Sequence, residues 1–592
     1  VVASSDIDWS DPAAPRSRAY GDVYFSLEDG LAESRAVFLA GCGLPEAWRD
    51  RRTFTVAELG FGTGLNIAAL LTLWRETAPP DARLSIFSIE AHPLSAGEAA
   101  RALAAWPEIV PAAEALTRAW PATTPGFHRR DLPEWRATLD LAIGDAAWAL
   151  EQWSGRADAW FLDGFAPSTN PAMWSDVVFD GVGKRSAPGA RVATFTVAGA
   201  VRRGLAERGF VVDKRPGHGR KRERLEARLP GIVSEPAEGD VLVIGAGVAG
   251  AAVARALSAQ GLRPVVIAPE DEVGMASDFR AALVTPRFDL GDAAVAALNA
   301  QALERAGALY DAAPDAVLER GVVRLEGKPR DEERFDRIAA QSLWSDGELQ
   351  RCDAAAMTAA LREPVAMGGL TLRSALAVRP QAIRRSWLGD AQRIAAEVAR
   401  LERRSDRWSA LDVHGGLIAE AAQVVIAAGW GSAALSPDLA LRPSRGQVSW
   451  ASGGGPIPPV TWGGYAVPVD GGLLFGATHD RGRTDVEADP ADDRRNLDAL
   501  TRALPEAAGR LDSSRIEGRG AVRATTADHL PVCGQAAPGL WVLGGLGSRG
   551  FLMAPLLGEH LAASIAGAPS PLPCALSARL DPGRFIVHTA EP

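Results

Sequence analysis

The stretch Asp240-Val-Leu-Val-Ile-Gly-Ala-Gly-Val-Ala-Gly-Ala-Ala-Val-Ala-Arg-Ala-Leu-Ser-Ala-Gln-Gly261 lies near the middle of the chain, and its reading decides the fold class. Val241 to Ile244 form a short apolar run, as a parallel strand covered on both faces requires. Gly245, Gly247 and Gly250 follow in GxGxxG spacing, and Ala, Val and Leu then recur with a helical period. Gly245 permits the tight turn, Gly247 lets the backbone approach a pyrophosphate, and Gly250 lets helix and strand pack closely. The helix N-terminus offers free N–H groups and a positive dipole end to that anion. A second apolar run (Pro264–Ala268) and acids at Glu270 and Asp271 come about 20 residues on. Strand, glycine turn and helix in this order predict dinucleotide binding; glycines alone would describe a Gly/Ala-rich helix packed tightly on a sheet.

Working outward, the chain of 592 residues is too long for one ordinary core, so two or more domains are expected. Apolar content of 47% and charged content of 23% are those of a soluble globular protein. No uncharged apolar run reaches the ~18 residues of a membrane span, and the first ten residues lack a secretory pattern. A cytoplasmic protein is therefore expected. Cys42, Cys352, Cys533 and Cys574 are far apart and form no CxxC, which suits reduced thiols and predicts no metal. The net charge of −10 excludes a chain that is basic all over but leaves room for a local basic patch.

Ahead of the central stretch, Phe54-Thr-Val-Ala-Glu-Leu-Gly-Phe-Gly-Thr-Gly-Leu-Asn66 reads as a strand carrying Glu58, a loop with Gly60, Gly62 and Gly64, and a helix opening near Asn66. Three later strands end in acids: Leu84 to Glu90, Leu139 to Asp145 and Ala159 to Asp163. Ligands gather at the carboxyl ends of parallel strands, where a carboxylate accepts both ribose hydroxyls. Asp163 opens the segment Asp163-Gly-Phe-Ala-Pro-Ser-Thr-Asn-Pro-Ala-Met-Trp174, whose prolines and Asn170 stiffen a loop. A carboxylate there can orient an amine and take its proton, and Phe165 or Trp174 can stack on a base. Each feature also has a plain structural reading as a strand-end acid or loop residue. Gly30 to Ala40 reads as a helix with Leu31, Val37 and Phe38 inward, and composition favours an N-terminal subdomain for residues 1–50 over a cap. Between Lys214 and Arg228 seven Lys/Arg stand against two Glu, including Arg220, Lys221 and Arg222; such a run neutralises phosphates or is simply solvated.

After the central stretch come Gly274 to Pro286, containing Ser277 and Arg280; Gln423 to Ser432, a buried strand entering a turn at Gly429; and Arg442 to Val448, a turn feeding a strand. Gly520 to Gly534 precedes Gly539-Leu-Trp-Val-Leu-Gly-Gly-Leu-Gly-Ser-Arg-Gly-Phe551. There Gly545, Gly547, Ser548 and Gly550 make a second glycine loop before a helix. A second N–H-rich helix end facing the first suits a large dinucleotide such as FAD.

The strand-end acids with the loop at 60–64 resemble class I S-adenosylmethionine-dependent methyltransferases. That resemblance implies that Gly60–Gly64 pass beside the methionine part, Glu90 holds the ribose and Asp145 lies near the adenine. The pieces GAGVAG, Arg445-Gly-Gln447, RATTADHLPVCG (523–534) and GLGSRG resemble the D-amino-acid oxidase/glycine oxidase family of FAD enzymes, which oxidise amines alpha to a carboxylate. There Arg523, then Arg549, would hold the substrate carboxylate as a guanidinium fork. Glu270 lies later than that family's usual strand-end acid.

With ELGFGTGLN, DGFAPSTNPAMW, TFTVAGAVRRGL and GHGRKRE fused ahead of it, the chain resembles bifunctional enzymes that modify the wobble uridine of tRNA. That implies an α/β protein, with a Rossmann-like methyltransferase domain at 1–232 and a linker at 233–239. An FAD-binding Rossmann domain follows at 240–592, with a mixed α+β substrate region inserted mainly at 290–420 and 440–520. It implies FAD and S-adenosylmethionine as cofactors, tRNA as partner and a monomer. A fused small-molecule amino-acid oxidase and metabolite methyltransferase is the competing reading, under which 214–228 is only solvated surface.

Overall fold

The computed structural model describes residues 7–10, 15–26, 28–219, 221–232, 239–270, 274–328 and 330–585. The chain divides into two compact units, Val1–Ala237 with Gly567–Cys574, and Glu238–Ala566 with Ala575–Pro592. The expected linker residues 233–238, together with Asp271 and Arg220, lie outside the described residues.

The first unit is built on an eight-stranded sheet. Its strands are β1 (Thr53–Leu59), β2 (Arg83–Glu90), β3 (Gly126–Leu132), β4 (Ala137–Ile143), β5 (Ala157–Leu162), β6 (Ser186–Thr194), β7 (Val211–Pro216) and β8 (Glu223–Arg228). The order is β3-β4-β2-β1-β5-β6-β8-β7. The five central strands are parallel, and β3 and the β7–β8 hairpin add antiparallel edges. β1 is buried on both faces: Phe54 and Val56 join one apolar cluster, Ala57 and Leu59 the other. This double burial is why its sequence reads as an unbroken apolar run. The register sets Leu59 beside Ile89 and Leu162, so the carboxyl ends of β1, β2 and β5 finish level. β1 connects onward to β2 on one side and pairs β5 on the other, which makes its carboxyl end the switch point where a ligand crevice forms. Helix α1 (Leu65–Thr77) starts there from Gly64, whose φ of 79° is the left-handed region open to glycine. The helix expected at 30–40 is present as an α-turn (Gly30–Glu33) widening to a π-turn (Ser34–Leu39), with Leu31, Val37 and Phe38 buried. A buried Arg129–Asp140 pair (2.7 and 2.6 Å) joins β3 to β4, and the same guanidinium holds the Pro569 carbonyl of the returning segment at 2.8 Å.

The second unit contains a six-stranded sheet: β9 (Asp240–Ile244), β10 (Arg263–Ala268), β11 (Gln392–Ala395), β12 (Gln423–Ile426), β13 (Val532–Ala537) and β14 (Leu540–Gly544). Its order is β11-β10-β9-β12-β14-β13, parallel except for β13. Helices α3 and α4 mark its two glycine loops; α2 (Ala146–Gln152) belongs to the first unit, α3 spans Val248–Ala259, and α4 spans Gly550–Ala566. A ten-stranded sheet from Ala282–Val284 through Gly369–Val378 and Arg442–Ser452 through Glu517–Thr525 forms the second layer. Of the stretch 290–420, the part from Gln392 onward departs from the expected substrate region: β11 extends the nucleotide sheet, and Arg400–Arg404, Arg407–Leu411 and Leu417–Ala421 make a small sheet of their own. The segment Arg442–Val448 is strand throughout, not a turn. Arg445 there is 0% exposed and ion-paired to Asp492 (2.5 Å) and Asp485 (3.0 Å), so the Arg-Gly-Gln motif is a buried strut.

Candidate active sites

In the first unit four side chains form a hydrogen-bonded row at the carboxyl ends of β1, β2 and β5. Ser88 Oγ meets Glu58 Oε2 at 2.6 Å; Asn66 Nδ2 donates to Glu58 Oε1 at 3.1 Å and to Asp163 Oδ2 at 2.7 Å. Asn66 occupies the first turn of α1, so the glycine loop delivers the amide between two acids. Both acids are raised. Burial pushes Glu58 up to about 8 against the hydrogen bonds from Ser88 and Asn66. Burial pushes Asp163 up to about 7, opposed by Asn66 and reinforced by Glu33. A carboxyl that titrates near neutrality can both hold and accept a proton from an ammonium group. Glycine is required at position 60, since a Cβ there would come within 2.1 Å of the Asp163 carbonyl oxygen.

Glu90 accepts from Gly62 N at 2.9 Å and His92 N at 2.8 Å, which fixes the loop against β2 and orients the carboxylate in the crevice. Asp145 is the N-cap of α2, with Oδ1 accepting from Ala147 N and Trp148 N. Phe165 lies between Tyr20 (4.8 Å) and Tyr24 (5.5 Å), and Asp22 Oδ2 accepts from Ala166 N at 3.2 Å. The N-terminal segment is therefore a cap on the 163–174 loop, contrary to the subdomain favoured by composition. The sequence does not single out Tyr20, Asp22 or Tyr24; Asp22 and Tyr24 stand in the run Asp22-Val-Tyr-Phe-Ser26, and Tyr20 stands two residues ahead of it. Trp174 cannot stack on a base: it is 8% exposed and spends its indole N–H on the Phe165 carbonyl at 2.9 Å. The basic run is less basic than its composition. Lys214 pairs with Glu223 and Arg224 with Glu226 within the β7–β8 hairpin. Lys221 pairs with Glu33 at 2.8 Å, lies 4.2 Å from the Phe195 ring centre and lowers the Asp163 carboxyl by its charge. Arg222 is exposed.

In the second unit the two glycine loops wall one cavity of about 640 Å³. Gly245 turns at φ 106°, where a Cβ would meet the Ala427 carbonyl at 2.6 Å, and a Cβ on Gly250 would meet the Gly245 carbonyl at 1.8 Å. Ser277 Oγ accepts from Val248 N at 3.1 Å at the start of α3. Gly550 opens α4 so close to α3 that its Cβ would be 3.0 Å from Val248 Cγ1; the two helix N-termini converge on the cavity. Gly429, Gly545, Gly547, Ser548 and Gly550 all line it, and a Cβ at Gly429 would meet nothing within 4 Å. Such glycine-walled backbone with paired helix ends fits a dinucleotide. Two expected residues are elsewhere. Glu270 is exposed, and the cavity wall at the end of β10 is Ala268 and Pro269, because the strand stops two residues short of the acid. Arg280 is committed to Glu517 and Asp470 and lies 4.3 Å from the Trp450 ring centre, away from the cavity lining.

Arg523 lines the cavity with Tyr465 and His479. Its NH1 lies 3.0 Å from His479 Nδ1, and among the described residues no carboxylate pairs with it. Burial and the Arg523 charge hold His479 down to about 4, so the imidazole is neutral near pH 7 and serves as an acceptor. Burial also raises Tyr465. Gly446 makes room for this guanidinium, since a Cβ there would be 2.4 Å from it. Arg549 lines the cavity too, donates to the Thr285 carbonyl at 3.1 Å, and is lowered to about 10 by burial and by Arg324 and Arg287. Tyr465, His479 and Arg324 had no sequence signal: they are isolated polar residues on strands and loops of mixed pattern. His529 is exposed in a left-handed turn (φ 60°).

These two folds and their crevices define a fused methyltransferase and flavin oxidoreductase. Family models agree: one described as FAD dependent oxidoreductase matches residues 240–564, and one described as S-adenosyl-L-methionine-dependent methyltransferase matches residues 107–230. The chain is 54% identical to the tRNA 5-methylaminomethyl-2-thiouridine biosynthesis bifunctional protein of Caulobacter sp. (strain K31), covering 99% of this chain and 98% of that one. It is 43% identical to the counterpart from Maricaulis maris (strain MCS10), covering 98% and 96%. The chain belongs to this family of bifunctional tRNA 5-methylaminomethyl-2-thiouridine biosynthesis proteins. Among solved structures, the iminodiacetate oxidase of Chelativorans sp. BNC1 (TM-score 0.51, 23% identity, 58% of this chain and 98% of that one) shares the fold. So does the glycine oxidase of Geobacillus kaustophilus (TM-score 0.50, 21% identity, 60% and 99%). No helix among the described residues is long and apolar enough to cross a membrane.

Proposed function

We propose that the chain carries out two consecutive reactions on the wobble uridine of tRNA. The second unit removes the carboxymethyl arm of 5-carboxymethylaminomethyl-(2-thio)uridine as glyoxylate, and the first methylates the amine so exposed. Arg523 carries the reading: a cavity-facing guanidinium with a neutral imidazole beside it and, among the described residues, no carboxylate partner calls for an anionic substrate group. Its fork receives the carboxylate of the glycine-like arm, and Arg549 supplies the second positive charge. Bound FAD, held by Gly245, Gly247, Gly250, Gly429 and the 545–550 loop, supplies the two-electron acceptor for the arm's CH–NH bond. Water then splits the resulting imine into glyoxylate and a primary amine. Arg523 would fix the arm, and among the described residues no strong base lies nearby, which suits hydride removal.

In the first unit Gly60, Gly62, Gly64, Glu90 and Asp145 hold S-adenosylmethionine, which supplies the methyl group. Asp163 orients the amine, takes its proton and leaves the nitrogen lone pair free for in-line attack. Asn66 and Glu58 position Asp163; Phe165 and Lys221 meet the nucleotide and its backbone. The protein works as a monomer in the cytoplasm.

The test is to incubate undermodified tRNA with the protein, with and without S-adenosylmethionine, and to analyse nucleosides and glyoxylate. Glyoxylate release without methyl donor, and methylation only with it, is the expected result. Oxidation of free glycine with no action on tRNA would replace this reading by the small-molecule fusion.

A further inference from the structure

Beside the oxidoreductase cavity lies a second one, of about 350 Å³, that shares Arg324 and Arg549 with it and adds Arg287 and Arg334. Four arginines thus line a space in which, among the described residues, Asp289 is the one carboxylate. Asp289 is already engaged: Oδ2 pairs with Arg287 at 2.9 Å, and Oδ1 accepts from Gly291 N and Asp292 N, each at 2.9 Å. Asp331, the other acid near Arg324, accepts from Gly327 N and Lys328 N, each at 3.0 Å. The other three arginines are held in place by neutral groups. Arg334 donates to the Phe288 carbonyl at 3.1 Å and Arg549 to that of Thr285 at 3.1 Å. Arg324 lies 5.4 Å and 5.7 Å from the ring centres of Phe288 and Phe335. Each guanidinium has five N–H donors, and one carbonyl contact leaves most of them for another acceptor. Mutual repulsion is already felt: Arg324 is lowered by burial and by Arg334, and Arg549 by burial and by Arg324 and Arg287. Such crowding is stable when an anion completes the site. A further cavity shares Arg334 and is lined by Arg330 and Arg337 together with Asp331 and Glu333.

We propose that Arg287, Arg324, Arg334 and Arg549 seat a backbone phosphate of the RNA substrate, next to the nucleotide whose arm reaches Arg523. This rests on the tRNA reading above. Three net positive charges exceed what one arm carboxylate needs, and planar guanidinium forks match the paired non-bridging oxygens of a phosphodiester. Arg324 and Arg549 border both cavities, and Arg549 also meets the arm; Arg287 and Arg334, which do not line the oxidoreductase cavity, would act on binding alone, through counterion release.

The experiment uses the full chain with bound flavin, and Arg287→Gln, Arg334→Gln and the double variant. Flavin absorbance and thermal unfolding confirm that each is folded. The substrate is an anticodon stem-loop carrying the carboxymethylaminomethyl uridine, made with natural phosphates or with methylphosphonates flanking that nucleotide. The slope of log KM against log salt is expected to fall by about 0.7 in the double variant, the share of one phosphate, and by less in each single variant. Neutralising the flanking phosphate should raise KM about tenfold in the unaltered protein and have little further effect in the double variant. Additive effects of the two changes, or an unchanged salt slope, would overturn the proposal. So would an equal loss on the phosphate-free nucleoside, which would assign the cluster to the arm's carboxylate. Failure of the unaltered protein to release glyoxylate from the natural stem-loop would instead overturn the tRNA reading, so the two failures are distinct.

Discussion

At the scale of single residues, Asn66 governs the titration of both acids in the methyltransferase row. Its amide donates to Glu58 and Asp163 and lowers each, against the burial that raises them. If Asp163 must be ionised to take the amine proton, methyl transfer under single-turnover conditions falls about tenfold per pH unit well below about 7 and levels off above it. In Asn66→Ala that acid limb should move to higher pH; a limb that stays in place would remove Asp163 as the titrating base. The same shifts bear on stability. The folded protein keeps protons on Glu58 and Asp163 that the unfolded chain sheds, so their contribution is full below the ordinary carboxylate range. It is lost as pH rises through about 7 and about 8. Glu58→Gln removes its part of this loss, so the melting temperature of the variant relative to the unaltered protein should be higher at pH 8.5 than at pH 5. In the oxidoreductase, Gly446→Ala sets a Cβ 2.4 Å from the Arg523 guanidinium, the mobile end of a long side chain. The fold should survive, Arg523 should be displaced, and KM for the carboxylate-bearing arm should rise at least tenfold. An unaltered KM would show that Arg523 does not hold the arm.

At the scale of elements, the glycine loops were legible because their constraint is local. Gly245 needs a positive φ, and Gly250 needs a missing side chain, whatever else surrounds them. Replacing Gly250 by Ala drives a Cβ to 1.8 Å from the Gly245 carbonyl, backbone against backbone, and must lift α3 off β9. Purified Gly250→Ala should be colourless, with its visible flavin absorbance lost; retention of a full complement of flavin would contradict the placement of the cofactor on this turn. The strand-end acids were legible for the same reason, yet the sequence did not separate their jobs. Asp145 caps α2, Glu90 braces two backbone amides, and only Asp163 and Glu58 share a titrating row. The Arg-Gly-Gln segment looked like a turn because Pro443 and Gly446 are turn residues, but its strand is held by pairing with Glu517–Thr525 and by the buried Arg445. Tyr465 and Arg324 reach the cavity from paired strands and His479 from the loop between two of them, a long-range placement that no local pattern records.

At the scale of the whole molecule, the order of the two reactions follows from chemistry. Under the proposed function, the nitrogen that accepts the methyl group is secondary and bears the carboxymethyl arm until the oxidoreductase has acted. Each unit has its own parallel sheet, switch point and glycine loop, so neither site borrows residues from the other's nucleotide fold. Asp163→Ala should therefore stop methylation while glyoxylate continues to form at the unaltered rate, and 5-aminomethyluridine should accumulate in the tRNA. Nucleoside analysis beside a glyoxylate assay reads both outcomes from one incubation. Removing a half-buried acid whose ionisation burial already disfavours should leave the first unit folded, which its melting temperature will report. If a folded Asp163→Ala protein lost glyoxylate formation as well, the sites would have to be coupled. If it kept methylating, the proton would have to leave the amine by another route.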